Sequence, residues 1–174
     1  MNQRLRIALA GLWLCLLSSP LLAQPSFYLP FANNATPNGL INMPIKVVRF
    51  DSVITAQFVL RWDPAVLEFL FVDQLNLPEL VIENFNTSQA LDSGIMRFAW
   101  VASDFDAGVS LPDSSTIFRL RFRILGEIGD TSNVEITEIS PNTIFEIGTA
   151  SGDIYLLDSV EITSGFVAVG FTVE

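Results

Sequence analysis

The chain has 174 residues, half of them hydrophobic, with nineteen Asp and Glu against nine Lys and Arg for a net charge of −10. An acidic balance of that strength repels nucleic acid and anionic lipid, so neither is an expected partner. With no histidine anywhere and Cys15 as the single cysteine, Ser-His-Asp and Cys-His catalysis are excluded, as are zinc sites built on those ligands.

Arg4 and Arg6 precede an apolar run from Ile7 to Leu17 and a small-residue exit from Ser18 to Ala23. This is the pattern of a cleaved secretory signal, residues 1–23. The run is shorter than the roughly 20 residues that span a bilayer, so no membrane anchor is expected. Leu14 is too large for the small residue that usually precedes a lipid-modified cysteine. Residues 24–174 are expected to form one domain, secreted or periplasmic, without a disulfide.

Beyond residue 23 no segment sustains a helical period, whereas several alternate apolar and polar residues as half-buried strands do. Ile41, Met43, Ile45 and Val47 alternate, with Pro44 arguing for an edge strand or a bulge. Ala56, Phe58, Leu60 and Trp62 form an inward stripe opposed by Thr55, Gln57, Val59 and Arg61. Met96, Phe98 and Trp100 form a second, opposed by Arg97, Ala99 and Val101. Phe118, Leu120, Phe122 and Ile124 form a third, opposed by Arg119, Arg121 and Arg123.

Further strands are expected at Phe27–Phe31, Glu68–Val72, Leu80–Phe85, Val134–Ile139, Ile154–Leu157 and Phe166–Val173. Turn formers separate them, at Pro37-Asn38-Gly39, Asp51-Ser52, Asp63-Pro64, Asp92-Ser93-Gly94 and Ser151-Gly152-Asp153. About ten short strands so punctuated predict an all-β, antiparallel two-sheet sandwich.

The run Ala56-Gln57-Phe58-Val59-Leu60-Arg61-Trp62-Asp63-Pro64-Ala65-Val66-Leu67-Glu68 resembles the cohesin family. There an inward-alternating strand ends in an aromatic, then Asp-Pro, then a turn closed by Val-Leu-Glu. Gly39 with Met43-Pro44-Ile45, the Ile95 to Trp100 strand, Ile117 to Ile124 and the closing Gly165 to Gly170 follow in the family's order. The resemblance implies a jelly roll of about nine strands and no enzymatic activity. It also implies a partner-binding sheet carrying the strands Thr55–Trp62, Ile95–Val101 and Ile117–Ile124, docking a dockerin, a small two-helix calcium-binding domain. Positions that present polar groups to a dockerin correspond to Thr55, Gln57 and Ala90, with an acidic position falling near Ala102 or Ser103. A carbohydrate-binding module of the same superfamily, with a polysaccharide as ligand, is the alternative.

Asp104 and Asp106 are the nearest carboxylate pair, in a loop that lacks the twelve-residue frame and distal Glu of a calcium hand; a polar loop is expected, with weak calcium binding as the alternative reading, and no metal or cofactor is assigned. Trp62 and Trp100 share the inward parity, which favours core packing over a sugar platform. Arg61, Arg97, Arg119, Arg121 and Arg123 all have outward parity. On one shared sheet, with Thr55 and Gln57, they would form a basic face for an acidic protein partner. The other reading is cross-strand pairing with nearby Asp and Glu.

Overall fold

The structure, a computed structural model, describes residues 24–170. The signal-peptide reading of residues 1–23 and the end of the last expected strand lie outside the described residues. Among the described residues fourteen strands run in the order β1 (Ser26–Tyr28), β2 (Phe31–Ala35), β3 (Leu40–Val48), β4 (Phe50–Arg61), β5 (Leu67–Asp73), β6 (Phe85–Gln89), β7 (Ile95–Val101), β8 (Val109–Leu111), β9 (Ser115–Ile124), β10 (Thr131–Thr137), β11 (Glu146–Thr149), β12 (Ile154–Tyr155), β13 (Glu161–Thr163) and β14 (Gly165–Val169). One helical turn, α1 (Ala90–Ser93), precedes β7.

Two sheets form the sandwich. One has five strands in the order β13-β1-β3-β9-β5. The other has nine, centred on β4, which pairs with β7 and β8 along one edge and with β10 and β11 along the other. Most pairs are antiparallel. The exceptions are β1 with β13 and β14 with β2, which are parallel.

The inward stripes fill the space between the sheets. Phe98 of β7 lies 4.9 Å from Phe118 of β9, Trp62 lies 5.1 Å from Phe122, and Phe58 of β4 lies 5.4 Å from Phe27 of β1. Aromatic rings at these separations contribute beyond their area alone. Trp62 and Trp100 are both buried, as their parity predicts. Trp100 Nε1 donates to the Pro78 carbonyl at 2.8 Å.

Local chemistry explains the turn that follows β4. The Asp63 Oδ1 accepts from the Ala65 amide at 2.9 Å, and the Asp63 carbonyl accepts from Val66 and Leu67. Asp63 thereby caps the turn whose backbone Pro64 pre-sets, and Val66 and Leu67 drop back into the core.

Several expectations need correction. The three arginine-bearing stripes do not share a sheet: β4 and β7 belong to the nine-stranded sheet and β9 to the five-stranded one. The reason is the packing just described, because side chains that meet across the core come from opposite layers. Asp51-Ser52 lies inside β4, as an irregularity with Ser52 at φ 50°, rather than between strands. The expected strand Leu80–Phe85 is instead a 3₁₀ turn at Ile82–Asn84 that leads into β6 at Phe85. At Pro44, β3 pairs only with β9, since β1 reaches no farther than Lys46, and a register shift follows between Ile45 and Lys46. The missing proline donor therefore faces a locally open edge.

Candidate functional site

The outer face of β6-β7-β4-β11 is built in rungs, because directly paired residues point to the same side. At one end Ile154, Gly148, Thr55 and Val101 lie side by side. Ile154 and Val101 are 64% and 51% exposed, an aliphatic edge on either side of two small residues. Gly148 leaves room for the Thr55 hydroxyl: a Cβ at this position would lie 2.7 Å from Thr55 Oγ1.

The next rung is Glu146, Gln57 and Ala99. The third brings Thr137, Val59, Arg97 and Asn86 together, and the fourth Glu135, Arg61, Ile95 and Gln89. Val59 has outward parity yet is fully buried, and it stands apart from the inter-sheet core.

Amides and one guanidinium dominate the middle of the face. The Asn84 side-chain amide donates to the Ala99 carbonyl at 2.8 Å, and its Oδ1 accepts from the Val81 amide. Arg97 Nη1 donates to Gln89 Oε1 at 2.7 Å. Among the described residues neither Arg97 nor Arg61 has a carboxylate within 4.0 Å. A groove of about 550 Å³ crosses this region, lined by Gln57, Glu83, Asn84, Asn86, Arg97, Asn142 and Ile144 among others.

Of the residues singled out in the sequence, Thr55, Gln57, Arg61 and Arg97 come together here. Arg119, Arg121 and Arg123 do not; they line the outer face of the five-stranded sheet. Arg119 is held by Asp73 through Nε to Oδ1 at 2.7 Å and Nη2 to Oδ2 at 2.6 Å. Arg123 Nη1 donates to Glu68 Oε2 at 3.0 Å. The hydrogen bonds from Arg119, reinforced by the charges of Arg119 and Arg121, hold the Asp73 carboxyl below its ordinary value against the opposing effect of burial. For these two arginines cross-strand pairing is the reading the geometry bears out.

Ala90 is buried in α1 and offers nothing to a partner. Asp104 Oδ1 accepts from the amides of Asp106 and Ala107, closing its own loop. Trp62 and Trp100 provide no stacking surface, since both are buried. Sequence reasoning missed Glu146, Gly148, Asn86 and Asn142. β6 and β11 are short and polar or glycine-bearing, so alternation carries no signal there, while the exposed Ile154 fell in an expected strand without any indication of its neighbours.

A family model for the cohesin domain matches residues 31–152. Solved structures with the same fold include the OlpA cohesin of Clostridium thermocellum, determined in a type I cohesin–dockerin complex, at TM-score 0.66 and 11% identity, covering 84% of this chain and 99% of that one. The sixth cohesin of scaffoldin B from Acetivibrio cellulolyticus, in complex with a mutant Cel5 dockerin, superposes at 0.65 with 17% identity, covering 84% and 99%. A non-cellulosomal cohesin from the archaeon Archaeoglobus fulgidus gives 0.61 with 16% identity, covering 86% and 93%. No curated protein matches the chain by sequence.

Proposed function

We propose that this chain, which belongs to the cohesin domain family, is an exported, non-catalytic binding module whose β6-β7-β4-β11 face docks a dockerin-like domain. The observation that carries the reading is the make-up of that face. Small and amide side chains, Thr55, Gln57, Ala99 and Asn86, lie between an aliphatic edge at Ile154 and Val101 and two guanidinium groups without carboxylate partners at Arg61 and Arg97. A broad face with an apolar edge and accessible arginines suits a folded protein surface. The cohesins solved in complex with dockerins share this sandwich, which supports the same class of partner.

In this reading the partner lays a helix across β4 and β7, packs aliphatic side chains against Ile154 and Val101, and presents carboxylates to Arg61 and Arg97. Arginine suits that role because its planar fork binds a carboxylate through two hydrogen bonds. Export follows from the Arg4, Arg6 and Ile7–Leu17 pattern. Assembly at a cell surface, or around polysaccharide-degrading proteins, belongs to the same proposal.

The test is a calorimetric titration of the protein with a panel of dockerin domains, alongside soluble glycans. Binding of at least one dockerin is expected, weakened at least tenfold by Gln57→Arg or Arg97→Glu and unchanged by Arg121→Glu. Glycan binding without dockerin binding, or dockerin binding indifferent to Gln57 and Arg97, would overturn it.

A further inference from the structure

We propose that the outer face of the five-stranded sheet is a second docking surface, specific for an extended acidic segment of another protein. Lys46, Arg119, Arg121 and Arg123 gather on this one face of a chain whose net charge is −10. Asp73 and Glu68 neutralise Arg119 and Arg123 and hold them in place on either side of Arg121. Among the described residues, Arg121 and Lys46 have no carboxylate within 4.0 Å. Glu161 of β13 also lies on this face, 3.9 Å from Arg49, so Arg121 and Lys46 are the excess that leaves the face net cationic on an acidic protein.

Spacing selects the shape of the partner. Arg121 sits opposite Asn42, four residues along β3 from Lys46. At roughly 3.3 Å per residue the two positions are about 13 Å apart along the strand direction, the separation of side chains at i and i+4 in an extended chain. A segment laid along β3 with carboxylates at that interval reaches both cations. Leu40 and Tyr28, 54% and 40% exposed, give its flanking side chains apolar footing.

Chemistry separates a polypeptide from the other occupants. The Arg121 guanidinium stands 5.8 Å from the centroid of the Phe71 ring. The guanidinium covers one face of that ring, the Phe71 side chain staying 46% exposed, and its edge is left for a carboxylate. A second copy of this chain carries the same strong negative charge and is repelled as a whole.

The probe is a synthetic Ser/Thr-based peptide with Glu at positions i and i+4, titrated into the ¹⁵N-labelled protein at low salt, with its Gln counterpart as control. Amide shifts are expected around Asn42, Lys46 and Arg121 and not around Gln57 or Arg97. Affinity should fall at least tenfold in K46E/R121E and stay unchanged in R97E. Should the double reversal fail to fold, K46Q/R121Q serves, with a smaller but measurable loss expected. Equal binding of the Gln peptide, shifts confined to the Gln57 and Arg97 face, tighter binding of polygalacturonate at matched carboxylate concentration, or self-association through this face in sedimentation would each overturn the proposal. The dockerin titration is independent, since it depends on the opposite sheet.

Discussion

Arg119 grips the Asp73 carboxylate with two parallel hydrogen bonds, at 2.7 and 2.6 Å, across the β5–β9 pair at its last paired rung. The geometry is the planar fork-to-carboxylate match that arginine makes best. Both side chains remain partly exposed, 22% for Arg119 and 31% for Asp73, so solvent screens the attraction.

Asp73 should titrate below the ordinary value of 3.8, the Arg119 hydrogen bonds being the main cause. The sign follows from linkage: a carboxyl whose folded value is depressed contributes stability above its unfolded value, and that contribution is lost as pH falls through the folded value. Carboxyl NMR titration of Asp73 in R119A should show a return toward the ordinary value. The stability gap between wild type and R119A should shrink as the solution is acidified below 3.8; a gap independent of pH would contradict the assignment.

The more exposed pair, Arg123 and Glu68, should couple weakly. A double-mutant cycle through R123A and E68A is expected to return under about 1 kcal/mol, as exposed ion pairs do. The coupling should fall further in high salt.

Phe118 is in contact with three aromatic rings of the opposite sheet, Phe58, Phe85 and Phe98. Truncation to alanine leaves a cavity that β-strands on both sides cannot close. Phe118→Ala should cost about 3–5 kcal/mol in denaturant unfolding, the range for large core aromatics.

Gly94 ends α1 with φ 61°, and a Cβ there would lie 2.1 Å from the Trp62 carbonyl oxygen. The Gly94 carbonyl also accepts from the Trp62 amide at 2.9 Å. Gly94→Ala should destabilise by more than ~1 kcal/mol. Gly94→Asn tolerates the left-handed backbone yet keeps the clash, and equal loss in both variants would identify sterics as the cause.

Gly148→Ala places a methyl against Thr55 Oγ1. The variant should lose both stability and dockerin affinity, and adding Thr55→Ala should restore stability but not affinity, since Thr55 lies in the proposed contact. Paired thermal melts and calorimetry separate the two effects.

Much of the fold was legible because alternation is a local property. Phe118, Leu120 and Phe122 are buried and Arg119, Arg121 and Arg123 point outward, as their spacing requires. The Asp63-Pro64 turn was legible for the same reason, since its hydrogen bonds stay within a few residues. β6, β8, β11 and β13 were not, being three to five residues long and held by backbone pairing to distant strands.

Local pattern alone determined that this is an all-β sandwich, which side chains enter its core, and that the tryptophans are packing residues. It also put five arginines outside without saying on which outside. A period of two assigns each residue to one side of its strand, but both sheets of a sandwich have an outer surface, and parity is the same for each. The partition was decided by tertiary pairing: β4 and β7 carry Arg61 and Arg97 beside Thr55 and Gln57, while β9 lies across the core and takes Arg119, Arg121 and Arg123 to the other surface.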